Sequence, residues 1–149
     1  MTAASPSSDV EQIRSVVIRV SHFIDRRAWA DLRALYAAEV ETDYTSLFGG
    51  TPQVQPADVL IQGWRLALGR VSTQHLLGPI DVQLSRGTAV AECHVRAWHH
   101  APGTAGGDEW VVAGHYLFTL RREDEGWKIT TMKLETLQQS GNLALLQEV

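Results

Sequence analysis

The sequence predicts an α+β fold in which N-terminal helices precede an antiparallel sheet. Two patterns carry that prediction. Apolar residues recur at helical spacing through the first third of the chain, and period-two alternation then takes over in four runs. The segments between those runs are rich in Gly, Pro and Asp, the chemistry of hairpin turns, so the runs pair antiparallel in sequence order.

Ser8 and Glu11 form a capping-box pair, and Ile13, Val17, Val20 and Ile24 follow on one face, predicting a long amphipathic first helix. Residues 1–8 are expected to be a disordered tail, and 9–149 a single domain. The stretch RAWADLRALYAA, residues 27–38, continues helically after a bend, with Trp29, Leu32 and Leu35 or Tyr36 on one side. VETDYTSLF, residues 40–48, reads as a short strand entering the turn Gly49-Gly50-Thr51-Pro52. Residues 55–69 carry Ala57, Leu60, Ile61, Trp64 and Leu68, a third helix stopped by Gly69. Strand runs are expected at about 71–84, 88–100, 109–121 and 127–138.

Parity within these runs places side chains. Val71, Thr73, His75 and Leu77 share one face of the first run, so His75 has apolar neighbours. In the second run Ala89, Ala91, Cys93, Val95, Ala97 and His99 form a small, apolar face expected to look inward. His99 then stands at the end of a row too small to fill the space in front of it. His94 belongs to the opposite, charged face, and His22, His100 and His115 read as surface or outer-face groups. The third run has apolar residues on both sides, so its parity stays open, as a curved sheet covered on both faces would require.

At 149 residues the chain suits one domain with a proper core. A formal charge of −4 with scattered Lys and Arg offers no basic stripe for a phosphate backbone, which argues against nucleic acid. One cysteine, Cys93, cannot form an internal disulfide, and the opening MTAASPSS lacks the basic end and apolar run of a signal peptide. A cytoplasmic location is expected, with no membrane span, because no apolar stretch approaches ~20 residues. No cofactor is expected, since Gly103, Gly106 and Gly107 fall in a hairpin rather than between a strand and a helix. No metal is expected either: His99 and His100 point to opposite faces, and no companion ligand spacing appears.

The segments FIDRRAWADLRALYAAEVETDY, TQHLLG, HVRAWHH and GHYLFTLRREDEGWKI, in this order, resemble the SnoaL-like, scytalone-dehydratase-like branch of the nuclear-transport-factor-2 and ketosteroid-isomerase superfamily. The resemblance spans roughly residues 9–142. It implies a cone: a strongly bent antiparallel sheet wrapped around the N-terminal helices, with an internal pocket. It also implies four pocket residues, which here are Asp25 in FIDRR, Tyr44 in TDY, His75 in TQH and His99 in AWHH. Two departures change the walls. Ile24 stands where the family carries a tyrosine, and Gly114 and Tyr116 where it carries serine and asparagine.

The chemistry of that set is acid–base. An imidazole near its ordinary pKa can take a proton from carbon and return one to a departing oxygen, while a carboxylate fixes its tautomer. A tyrosine hydroxyl can donate to a carbonyl as enolate charge develops. The resemblance therefore implies a cofactor-independent dehydratase or isomerase acting on a hydroxylated cyclic ketone of polyketide or terpenoid type. In it His75 is base and acid, His99 helper or anchor, Asp25 orienter and Tyr44 electrophilic donor, with Phe48, Trp64 and Tyr116 shaping an apolar wall. The substrate would be a small apolar or aromatic molecule with carbonyl and hydroxyl groups. Alternatives are a SnoaL-like aldol cyclase and a non-catalytic small-molecule-binding module; an epoxide hydrolase would want an Asp-Arg-Asp set with no convincing counterpart here. Outward apolar residues such as Trp98 and Val111 predict a homodimer or higher homo-oligomer.

Overall fold

A computed structural model describes residues 5–149. The first helix, α1, runs Pro6–Asp25 and is capped by Ser5, not Ser8: the Ser5 hydroxyl accepts the Ser8 N–H at 3.3 Å, and Pro6 occupies a position where no N–H is needed. The expected tail is corrected accordingly. Residues 6–8 are helical, and the part of that expectation concerning 1–4 lies outside the described residues. Ile13, Val17, Val20 and Ile24 form the buried stripe as predicted, and α1 packs against the sheet. The helix ends in a Schellman turn, with Arg27 N–H donating to Ile24 O, Ala28 N–H to Phe23 O, and Arg27 in the left-handed region at φ 60°.

The second helix, α2, is only Trp29–Arg33; the expected extension to Ala38 is a strand, β1, Tyr36–Asp43. Alanines favour helix in isolation, but here backbone partners on both edges and burial of Tyr36, Val40 and Thr42 outweigh that preference. The strand also ends earlier than expected. The Asp43 carboxylate accepts the Thr45 N–H and hydroxyl at 3.0 and 2.6 Å, turning the chain into a one-turn helix, α3, Thr45–Phe48. Gly49 and Gly50, at φ 73° and 80°, then reverse it into β2, Gln53–Pro56, and α4 follows over Ala57–Leu68.

The remaining strands are β3 Ser72–Leu77, β4 Asp81–Leu84, β5 Thr88–His100, β6 Glu109–Glu123 and β7 Gly126–Gly141. Together with β1 and β2 they make one curved, unclosed sheet in the order β2-β1-β7-β6-β5-β3, with β4 also paired to β5 beyond the Gly78-Pro79 break. All pairs are antiparallel except β1 with β7, which is parallel. The wholly antiparallel expectation missed this because β1 enters the sheet from the helical region rather than through a hairpin. Bends come from irregularities such as the one at Ala113/Gly114, where a Cβ on Gly114 would clash with the Glu135 carbonyl oxygen.

Burial follows the predicted parity of β5, and it resolves β6: Trp110, Val112, Gly114, Tyr116, Phe118 and Leu120 face inward. A last short helix, α5, Leu145–Glu148, anchors itself through fully buried Leu145. Among the described residues, no helix is long and apolar enough to cross a membrane.

Candidate active site

Between the end of α1, the α3–α4 region and the inner face of the sheet lies a cavity of about 450 Å³. Asp25, the last residue of α1, reaches across to β3. One carboxylate oxygen, Oδ1, accepts from His75 Nδ1 at 2.7 Å and from the Thr73 hydroxyl at 2.9 Å; the other, Oδ2, accepts the His75 backbone N–H at 2.9 Å. Burial is the largest influence on this carboxyl and pushes its pKa up, but the hydrogen bonds from His75 and Thr73 together with the His75 charge hold it below the usual carboxylate value. An ionised carboxylate can only accept, so His75 Nδ1 is the donor in this bond. Nε2 is the ring nitrogen left for the cavity, which the His75 ring lines with only 8% of its side chain exposed.

His99, opposite, is fixed by a different acceptor. Its Nδ1 donates to Trp110 O at 3.2 Å, and the two rings lie 4.3 Å apart at 33°. Burial, reinforced by the neighbouring His75, lowers its pKa to about 4, so near neutrality the ring is uncharged and its Nε2 is an acceptor. The His75 and His99 ring centres are 6.3 Å apart. Tyr44 stands just past the end of β1, as the residue capping α3 rather than on the strand. Burial raises its hydroxyl well above the ordinary phenol pKa, which keeps it a donor, and among the described residues its one partner is the weakly accepting Met132 Sδ at 3.7 Å.

The walls are apolar. Trp64, Tyr116 and Phe48 all line the cavity, with Ile24 and Leu134, and among the described residues no Asp, Glu, Lys or Arg lines it. Phe48 is 58% exposed and lies 6.4 Å from both Tyr44 and Trp110, forming a rim rather than a floor. Asp25 itself does not line the cavity and acts on it only through His75. Cys93 is on the inner face but buried, its pKa raised to about 11, which leaves it an unreactive thiol.

The structure therefore brings Tyr44, His75, His99, Phe48, Trp64 and Tyr116 to one cavity, with Asp25 bonded to it from behind. Sequence reasoning missed Thr73, Trp110 and Met132. Thr73 was legible, since it shares a face with His75 two residues away. Trp110 was hidden by the ambiguous parity of β6, and Met132 by lying on a strand with no polar pattern to mark it.

The SnoaL-like domain family model matches residues 5–133. Solved structures share the architecture. A protein of Kribbella flavida is 26% identical with a TM-score of 0.90, covering 96% of this chain and 99% of that one. A candidate scytalone dehydratase of Novosphingobium aromaticivorans is 21% identical with a TM-score of 0.74, covering 89% and 86%. A hexachlorocyclohexane dehydrochlorinase is 13% identical with a TM-score of 0.74, covering 88% and 86%. No protein of curated function matches.

Proposed function

This chain belongs to the SnoaL-like domain family, and from that premise we propose that it is a cofactor-independent dehydratase or isomerase acting on a hydroxylated cyclic ketone of polyketide or terpenoid type. The observation that carries this reading is the Asp25–His75 pair, a 2.7 Å bond through Nδ1 that leaves His75 Nε2 as the ring nitrogen for the cavity. An orienting carboxylate behind an imidazole whose far nitrogen meets a largely apolar cavity suits proton abstraction from carbon.

The steps follow from these groups. His75 Nε2 takes the proton α to the ketone, and the C–H electron pair moves into the enolate. The Tyr44 hydroxyl donates to the oxygen where that charge collects. The enolate then re-forms the carbonyl and expels the β-hydroxyl, which takes the proton from the His75 imidazolium and leaves as water. Asp25 stabilises the imidazolium between these steps, and neutral His99 accepts a hydrogen bond from the substrate hydroxyl. Isomerisation uses the same abstraction, with the proton returned to carbon instead. An apolar wall without a charged side chain suits an uncharged, aromatic or alicyclic molecule.

Assembly belongs to the same proposal. Trp98 and Val111 are directly paired across β5 and β6 on the outer face, near exposed Leu76, and this apolar patch suits a second copy, giving a cytoplasmic homodimer.

The test is turnover of 3-hydroxy-1-tetralone, whose dehydration yields fluorescent 1-naphthol. Release of naphthol by the wild-type protein and its loss in His75→Ala support the enzyme. Saturable binding of the tetralone with no naphthol above the uncatalysed rate would instead make the chain a binding module.

A further inference from the structure

Two histidines on the outer face of the sheet take no part in the cavity. His94 on β5 and His115 on β6 stand directly opposite each other. The Gly78 N–H donates to His94 O at 2.9 Å, so the backbone polar groups of His94 point toward the β3 side and away from β6. The His94–His115 pair is thus of the non-hydrogen-bonded kind, in which opposed side chains come closest. Their ring centres are 5.1 Å apart, with the planes at 53°.

That spacing has chemical meaning. Two imidazoles bound at about 2.0–2.1 Å to one tetrahedral ion have ring centres roughly 5 Å apart. Within one chain His94 is exposed and His115 half-buried, and the residue beside His94 is Gly78, where a Cβ would lie 3.4 Å from the His94 Cβ. Glu135, opposite His115 on β7, has its carboxylate 3.7 Å from Lys133 Nζ. Among the described residues no group of three or more His, Cys, Asp or Glu is placed to hold a metal ion, so a pair is what the protein supplies.

We propose that His94 and His115 chelate one exchangeable first-row divalent cation on the outer face of the sheet, Cu²⁺ more tightly than Zn²⁺, with water completing the coordination. The site is independent of the acid–base chemistry, because on the same two strands His99 and Tyr116 point inward.

Calorimetric titration of the full chain with CuCl₂ and with ZnCl₂ tests this. The expected result is one ion per chain, with Cu²⁺ bound more tightly, and a loss of about tenfold or more in affinity in His94→Ala and in His115→Ala. His22→Ala and His100→Ala should bind as wild type. Copper electron paramagnetic resonance should show two imidazole nitrogens in the wild type and one in each of the first two variants. Both variants remove outward side chains, and unchanged circular dichroism verifies that they fold. No binding up to about 1 mM metal, or an affinity that neither substitution moves, overturns the proposal; an ion seated between His75 and His99 would give the latter result.

Discussion

His75 and Asp25 act as a unit, because the carboxylate contacts both the ring and the backbone N–H of the residue it orients. Replacing His75 by Ala is expected to lower kcat on the tetralone by about 10²–10⁴, the usual contribution of a general base. Asp25→Asn should lower it as well, and the double variant should be little worse than His75→Ala, which steady-state kinetics would show. His99 makes a separate prediction. Its folded pKa of about 4 lies below the ordinary histidine value, so between those two pH values the unfolded chain binds a proton that the native one does not. This contribution to stability is fully present above about pH 6.5 and is lost as pH falls toward 4, to the extent of about 3 kcal/mol. Urea unfolding from pH 7 to pH 4 should show the decline, and His99→Gln should show less of it. The inward direction of His99 was legible from parity, since a row of alanines and Cys93 leads to it. The contact between Asp25 and β3 was not: helical periodicity puts Asp25 at the edge of the apolar stripe, and only the resemblance assigned it to the pocket.

At the level of elements, α1 is tied to the β6–β7 hairpin by a charged residue near its start. Asp9 is buried, pairs with Arg122, and accepts the Trp127 indole N–H at 3.1 Å, while the Arg122 guanidinium lies 4.9 Å from the Trp127 ring. Asp9→Ala leaves that indole N–H unsatisfied and should cost about 2–4 kcal/mol, lowering Tm by roughly 5–10 °C in a calorimetric scan. The other end of α1 is expected to respond in the opposite sense. Arg27 holds a left-handed conformation that glycine adopts without strain, so Arg27→Gly should raise the urea midpoint, by an amount equivalent to about 0.5–1 kcal/mol. Long, strongly periodic elements were legible: α1, α4 and the strand runs from residue 72 onward appear close to where the pattern puts them. The strand read from Val40 is present as far as Asp43, but its start at Tyr36 and the short β2 were not legible, because ALYAAE, residues 34–39, continues the helical pattern and its end becomes strand only through partners at β2 and β7, which no local pattern reveals.

At the scale of the whole molecule, the apolar patch around Trp98 and Val111 should hold two copies together. Light scattering at micromolar concentration is expected to give twice the chain mass, and Trp98→Glu with Val111→Glu to halve it. The sheet order has a further consequence, which concerns time rather than geometry. The strand made last, β7, lies in the interior of the sheet and joins β1 to β6, so residues as far apart as Thr42 and Met132 must meet before either half is complete. Until β7 leaves the ribosome, the β1 edge of the β1–β2 hairpin and the β6 edge of the β6-β5-β3 unit have no partner. Such long-range closure is slow, and the partly made chain is exposed to aggregation and proteolysis while it waits. Nascent chains stalled before residue 126 should therefore be cleaved readily by added protease, whereas release of the full chain should bring protection in a single step, with both ends of the sheet locking together around the same final strand.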